Sequence, residues 1–422
     1  MKGDLLVVNI GQLATAEGDR ALRGSEMNRL QITHKAAILV EEGIISYSGA
    51  QEGPGYEAAL KKARAGAYPL LDASGRACVP GFVDCHTHFL FAGFRAQEFF
   101  WRAEGLPYME IHRRGGGIGT TTKATRAASF EELLSVGQRR LASMLAQGIT
   151  TVEGKSGYGL DKITELRQLQ AMAALDDMQP VDIVRTFMGA HSLPPEFSGR
   201  TGEYIDFITA EVLPEVASKK MAEFADIFCE KGVFELEDSR RYLEAAKALG
   251  LGLKIHADEI EVLGGAGLAA SVGAISAEHL LKARHQDLTA MAQAGVIAVC
   301  LPLTAFVLRE PYADARGMID SGLALALASD LNPGSCYSQS IPLIFALAVL
   351  YMGLSFAETL CALTLNAAAA LGRADRIGTI EPGKHGDFLI LDAPEASHLA
   401  YKSGMNLVVT TVKNGVLVYP KH

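Results

Sequence analysis

His86 and His88 stand two residues apart in the run Phe82-Val83-Asp84-Cys85-His86-Thr87-His88, which reads as a β-strand. At that spacing side chains leave the same face of a strand. The two imidazoles therefore project together, while Val83, Cys85 and Thr87 face the other way. Neutral imidazoles held close together on a rigid strand suit a transition-metal ion such as zinc, iron or copper. His-x-His is a short pattern, and two unrelated core or surface histidines would read the same. The pair gains weight from residues further along, where His191, His256, His279 and Asp330 each end or follow a strand-like run. Three imidazoles and a carboxylate (His86, His88, His256 and Asp330) make a mixed nitrogen and oxygen set for Zn²⁺ or iron. Such an ion brings the pKa of a bound water toward about 7. Glu259, three residues after His256, is then the candidate proton shuttle, and His279 the candidate electrophile or orienter. The chemistry is metal-assisted hydrolysis at an electron-poor, amide-like carbon.

These residues need a frame that brings distant segments to one place. Strand-like runs fall at 82–88, 149–153, 183–188, 225–229, 252–256, 274–278, 296–300 and 323–329. Helical patterns lie between them. One is Glu131–Gln147, opened by a Ser129/Glu132 capping box and closed by Gly148; another is Asp238–Leu249, closed by Gly250. Eight strands alternating with helices predict an α/β chain folded as a (β/α)8 barrel, whose chemistry sits at the C-terminal strand ends. The candidate residues fall at those ends. Residues 1–75 and 372–422 have a different character, with short strands such as Leu5–Ile10, Ala36–Val40, Ile44–Ser48, Asp387–Asp392, Asn406–Lys413 and Val416–Tyr419. Glu42-Gly43 and Asn414-Gly415 are hairpin turns. Both ends are expected to build one small β-sandwich domain, with the barrel spanning 76–371.

Composition narrows the function classes. At 49% hydrophobic and 21% charged, the 422-residue chain is globular rather than disordered. A formal net charge of −9 argues against nucleic-acid binding, which needs a basic face. The most apolar stretch, Ile341 to Ala357, is broken by Pro342, Gly353 and Ser355, so a buried helix is expected and no membrane partner. Six scattered cysteines without a Cys-x-x-Cys pair, and a start lacking the marks of a secretory signal, fit a cytoplasmic protein.

Val79-Pro80-Gly81-Phe82-Val83-Asp84-Cys85-His86-Thr87-His88 resembles the first barrel strand of the amidohydrolase superfamily. Ile380-Glu381-Pro382-Gly383-Lys384-His385-Gly386-Asp387 resembles the stretch where that family's chain returns to its small β-domain. Six segments in order are similar to one branch of it, which opens an imidazolone ring bearing a propanoate tail during histidine degradation. They are the runs 86–95, 115–118, 155–160, 189–191, 256–259 and 330–335. The resemblance implies one Zn²⁺ or Fe³⁺ per subunit on His86, His88, His256 and Asp330, with Glu259 and His279 beside it. It also implies substrate contacts from Arg95, Tyr158, His191, Glu259, Asn332, Gly334 and Ser335. A homo-oligomer is expected, with a dimer one form of it. Arg95 fits physically, since its planar fork binds a carboxylate bidentately; a plain surface arginine is the bland alternative.

Arg114-Gly115-Gly116-Gly117-Ile118-Gly119 reads as a substrate-covering loop rather than a phosphate cradle, because no strand precedes it in a βαβ unit. Strand 4 ends in Cys229-Glu230 with Lys231 the nearest lysine, which favours one metal over the lysine-bridged pair of binuclear relatives. Leu301 to Phe306 departs from the family's usual Pro-Gly turn, so the strand 7 loop has no clear expectation. Two other readings compete. A purine or pyrimidine deaminase of the same superfamily would share the metal set but have no carboxylate tail for Arg95 and Tyr158 to bind. A non-catalytic barrel scaffold would have no reason to keep the full ligand set.

Overall fold

The computed structural model describes residues 2–106, 110, 113–114 and 116–420, and its strands form two eight-stranded sheets. One comes from both ends of the chain. β1 (Leu5–Thr15), β2 (Gln31–Glu41), β3 (Ile44–Ala50), β4 (Leu70–Asp72) and β5 (Ala77–Pro80) precede the barrel. β14 (Phe388–Leu391), β15 (Val408–Lys413) and β16 (Val416–Tyr419) follow it. The order is β16-β15-β14-β5-β1-β2-β3, with β4 beside β1. The two halves join where β14 runs antiparallel to β5, with Phe388 opposite Pro80. Leu5, Val7 and Ile10 from one half share an apolar core with Phe388, Ile390 and Val412 from the other. Glu42-Gly43 and Asn414-Gly415 have positive φ at both residues, as a type I′ hairpin turn requires. Because Ala77–Pro80 pairs in this sheet, the chain changes sheets at Gly81, slightly past the expected boundary after residue 75.

The second sheet is the barrel. β6 (Phe82–Asp84), β7 (Ile149–Lys155), β8 (Asp182–Ala190) and β9 (Phe224–Cys229) are followed by β10 (Gly252–Ala257), β11 (Ser276–His279), β12 (Ile297–Cys300) and β13 (Leu325–Leu327). Neighbours pair in parallel and in sequence order. The β6 ladder stops at Asp84, short of the expected 82–88. From there to His88 the backbone makes single bonds instead: His86 accepts from Asp330 N (3.0 Å), His88 donates to Leu331 O (2.9 Å) and Thr87 accepts from Lys155 N (3.0 Å). The first two link the first and last strands.

Helices cover the barrel as their apolar spacing demands. Phe130–Ala146 is capped by Ser129, whose hydroxyl accepts from Glu132 N while the Glu132 carboxylate accepts from Ser129 N. The apolar stretch becomes the helix Ile341–Tyr351, with Ile344, Phe345 and Ala348 buried in the main core. Among the described residues no helix is long and apolar enough to cross a membrane. After β12 the chain forms a helix, Pro302–Leu308, rather than a turn. All six cysteines are free and buried.

Candidate metal centre

His86, His88, His256 and Asp330 meet at the C-terminal mouth of the barrel, each at most 3% exposed. His86 Nε2 and His88 Nε2 lie 3.6 and 3.9 Å from Asp330 Oδ1, and His256 Nε2 lies 3.4 Å from His88 Nε2. Tetrahedral ligands about 2.0–2.1 Å from one ion sit about 3.4 Å apart. One atom each of His86, His88 and Asp330 fall within 4.8 Å of one another, while His256 meets this set through His88 and groups with His86 and His279. Both nitrogens of His86 and Nδ1 of His88 lack hydrogen-bond partners although buried. Burial holds His86 and His88 well below the usual imidazole pKa, in the neutral form that binds metal. Buried, unpartnered donors of this kind are a fit to a metal ion and a poor fit to a plain core. His279 also brings a nitrogen within 4.8 Å of nitrogens of His86 and His256, and so stands at the edge of the set.

Asp330 is supported from a segment whose shape the sequence left open. Thr304, in the helix after β12, donates its hydroxyl to Asp330 Oδ2 at 2.6 Å, which aims Oδ1 at the imidazoles. Burial raises the Asp330 carboxyl to about 6, with the Thr304 bond acting against that rise. Asp330 and His279 both have left-handed backbone, with φ of 52° and 69°. Non-glycine residues adopt it at a cost and cluster at functional sites when they do.

Glu259 Oε2 is 3.5 Å from His279 Nε2. Burial, then the charge of Asp330, raises the Glu259 carboxyl to about 8, and positive charge at the ligands acts the opposite way. Its loop is fixed from both sides. Glu230 accepts from Ile260 N and Glu261 N, and Asp258 accepts from four backbone amides between Leu263 and Ala266. Tyr158 and His191 form one wall. His191 stacks on His88 with ring centres 4.7 Å apart, and its Nδ1 is 3.0 Å from Gly157 O. Burial lowers His191 to about 3 and pushes the Tyr158 phenol up, so both stay neutral. The buried Glu165 carboxylate gathers the amides of Gly157, Gly159 and Leu160 and so shapes the turn that carries Tyr158.

At the rim the structure adds a partner the sequence did not suggest. Arg95 donates from Nε and Nη2 to both oxygens of Glu98, at 2.8 and 2.7 Å. Glu98 also accepts from Gly117 N, which ties the glycine-rich stretch to this pair; Gly115 of that stretch lies outside the described residues. A Cβ on Gly334 would come within 2.3 Å of Arg95 Nη1, so only glycine lets the guanidinium lie there. The Asn332 amide is engaged within its own turn, accepting from Gly334 N and Ser335 N and donating to Asp330 O. A cavity of about 320 Å³ joins these parts. His88, Arg95, Tyr158, His191, His256, Glu259, His279, Asp330, Asn332, Gly334 and Ser335 all line it, so it brings together every expected site residue except the fully buried His86. The size is at the small end for small-molecule sites. A wider surface groove of about 820 Å³ lies at Arg20, Arg23 and Asp375 and has no such convergence.

Inside the barrel, below the candidate ligands, lies a charge network that sequence reading missed. Lys155 Nζ is 2.6 Å from Asp226 Oδ2 and 3.0 Å from Glu153 Oε2, and Lys254 Nζ is 3.1 Å from Glu153 Oε1, all fully buried. Asp226 Oδ2 is also 3.0 Å from His256 Nδ1. The available signal was strand register: Glu153 and Lys155 on β7, and Lys254 and His256 on β10, alternate toward the interior.

The sequence profile of the amidohydrolase family matches residues 77–418. The chain belongs to that family. Over its whole length it is 53% identical to the imidazolonepropionase of Bacteroides thetaiotaomicron, covering all of both chains. It is 50% identical to that of Clostridium tetani, over all of this chain and 99% of the other. Within the family it belongs to the imidazolonepropionases. Solved structures share the fold at low identity. A zinc-bound adenosine deaminase from Xanthomonas campestris has a TM-score of 0.70 at 18% identity, over 99% of this chain and 93% of that one. A 5-methylcytosine deaminase from Klebsiella pneumoniae has 0.71 at 16%, over 99% and 98%.

Proposed function

We propose that the chain hydrolyses 4-imidazolone-5-propanoate to N-formimidoyl-L-glutamate, with His86, His88, His256 and Asp330 holding a single Zn²⁺ or Fe³⁺. The observation that carries this is the cavity itself, with a metal-type floor at one end and the Arg95 guanidinium at the other. That spacing suits a ring whose reactive carbonyl and anionic tail are at opposite ends. An ion at the floor supplies Lewis-acid polarisation of the ring carbonyl and makes a water more acidic.

The remaining work falls to side chains. Glu259 takes a proton as water adds to the ring carbonyl carbon, and gives one to the ring nitrogen as the carbon–nitrogen bond breaks. The water oxygen stays in the new carboxylate, and the nitrogen becomes the imino end of the formimidoyl group. Without that proton the nitrogen would have to leave as an anion. His279, neutral because burial lowers its pKa, orients Glu259 and faces the reacting carbon. Arg95 and Gly334 hold the tail, Tyr158 and His191 the ring, and Asn332 and Ser335 the turn beside them. In this reading the enzyme is a cytoplasmic homo-oligomer acting on a small carboxylate-bearing substrate.

Purified protein loaded with zinc or iron should consume imidazolonepropionate, followed by its absorbance, and leave guanine and cytosine unchanged. Turnover of the bases without turnover of imidazolonepropionate would replace this reading with deamination.

A further inference from the structure

We propose that Asp226, itself held by Lys155, is the positioning residue that turns Nε2 of His256 toward the metal ion, and that this pair sets how tightly the ion is kept. The inference rests on His256 being a ligand. An imidazole has two nitrogens, and the bond made by one decides what the other can offer a metal. Nδ1 of His256 faces Asp226 Oδ2 at 3.0 Å, while Nε2 faces His88 Nε2 at 3.4 Å. A carboxylate only accepts, so Nδ1 can engage it only by carrying the proton, which leaves Nε2 its lone pair. The 3.0 Å approach is close but not aligned as a hydrogen bond, and a small turn of the ring would make it one. His86 and His88 have no such support: the carboxylate they meet, Asp330, lies on their Nε2 side, whereas His256 meets Asp226 at Nδ1. Of the three imidazoles, His256 is the one whose orientation is imposed from beneath.

The geometry of Asp226 is odd for a purely structural ion pair. Oδ2 serves both His256 Nδ1 and Lys155 Nζ, while the equally buried Oδ1 has no hydrogen-bond partner. A pair selected only to fill the interior would satisfy both oxygens or be replaced by apolar groups at little cost. Lys155 explains why the carboxylate does not rotate away. Its ammonium bridges Asp226 on β9 and Glu153 on β7 across the barrel, and Glu153 is fixed in turn by Lys254 and Thr186.

The test is zinc affinity of the folded protein, measured by competition with a chelator, so it does not depend on which substrate is turned over. Asp226→Ala should weaken zinc binding about 10- to 100-fold, the usual cost of losing a ligand's supporting partner. Asp226→Asn should stay within a few-fold of the parent, because its amide oxygen can replace Oδ2 while its nitrogen falls where Oδ1 has no partner. Asp226→Ala strands the Lys155 charge, so the double variant Asp226→Ala/Lys155→Met provides a fold without it and should bind zinc as weakly. Cobalt-substituted Asp226→Ala should also show an altered visible spectrum, which a change in packing alone would not give. Parental zinc affinity in the alanine variants overturns the proposal. So does an asparagine variant as weak as alanine, since charge rather than orientation would then be at work. If His256→Ala itself keeps zinc at parental affinity, the ligand assignment beneath the proposal is what fails.

Discussion

Replacing Arg95 by methionine separates two jobs that the structure assigns to one side chain. Nε and Nη2 are committed to Glu98, so a substrate carboxylate meets the remaining Nη1 side of the guanidinium, next to Gly334. One charge-assisted hydrogen bond contributes about 1.5–3 kcal/mol, so KM for imidazolonepropionate should rise about 10- to 100-fold. The second effect is on stability. The Glu98 side chain is only 4% exposed and would lose both bonds from Arg95, keeping the one from Gly117 N at 2.9 Å. Breaking a buried pair by removing one partner costs about 3–5 kcal/mol, and the surviving Gly117 bond puts this case at the low end. Thermal unfolding should therefore shift down by several degrees. Arg95→Met/Glu98→Gln removes the stranded charge and should recover the unfolding temperature but not KM. Steady-state kinetics, thermal scans and metal analysis on the three proteins test this, with metal content unchanged throughout. A KM within threefold of the parent in both variants would refute the assignment of the tail to Arg95.

Other outcomes follow from the same geometry. Glu259→Gln should lower kcat by about 10²–10⁴ with metal content and KM largely kept; a metal-loaded variant within tenfold of the parent would pass the proton transfer to His279. Asp330→Ala should fold, since the residue lies at the mouth, but lose metal and turnover; a fully metallated active variant removes Asp330 from the ligand set. In the metal-free protein Asp330, Asp84 and Glu259 are raised by burial to about 6, 7 and 8, from ordinary values of 3.8 to 4.5. Raised carboxyls bind protons more tightly folded than unfolded, so their contribution is full below about pH 4 and is lost as pH rises through 6 to 8. Metal-free protein should thus unfold at a lower temperature at pH 8.5 than at pH 5.5, and the drop should shrink with metal bound. An increase over that range in the metal-free protein would contradict the assigned shifts.

How much of this was legible follows the physics of each element. The eight barrel strands announce themselves as apolar runs because both of their faces are buried. The candidate ligands were readable because histidines at strand ends have few structural reasons to recur there. Thr304 and Glu98 were not, since each acts through a neighbour that only the folded loops supply. The Glu153, Lys155, Asp226 and Lys254 network was also missed. Glu153 and Lys155 read as residues at the end of the second barrel strand, but a charge inside a strand does not name its partner, and only a barrel interior makes partners of charges from β7, β9 and β10. The loop after β12 became a helix because Pro302 is well placed at a helix start.

The join between β5 and β14 has a consequence for how the chain is made. β5 hydrogen-bonds β1 on one side and β14 on the other, and some three hundred residues of barrel are synthesised between Pro80 and Phe388. Throughout that interval the nascent N-terminal strands have an open edge at β5, a template for unwanted pairing with other chains. Only when β14 leaves the ribosome can the edge close. β5 itself blunts the hazard by being short, four residues ending in Pro80, whose nitrogen has no hydrogen to offer a stray strand.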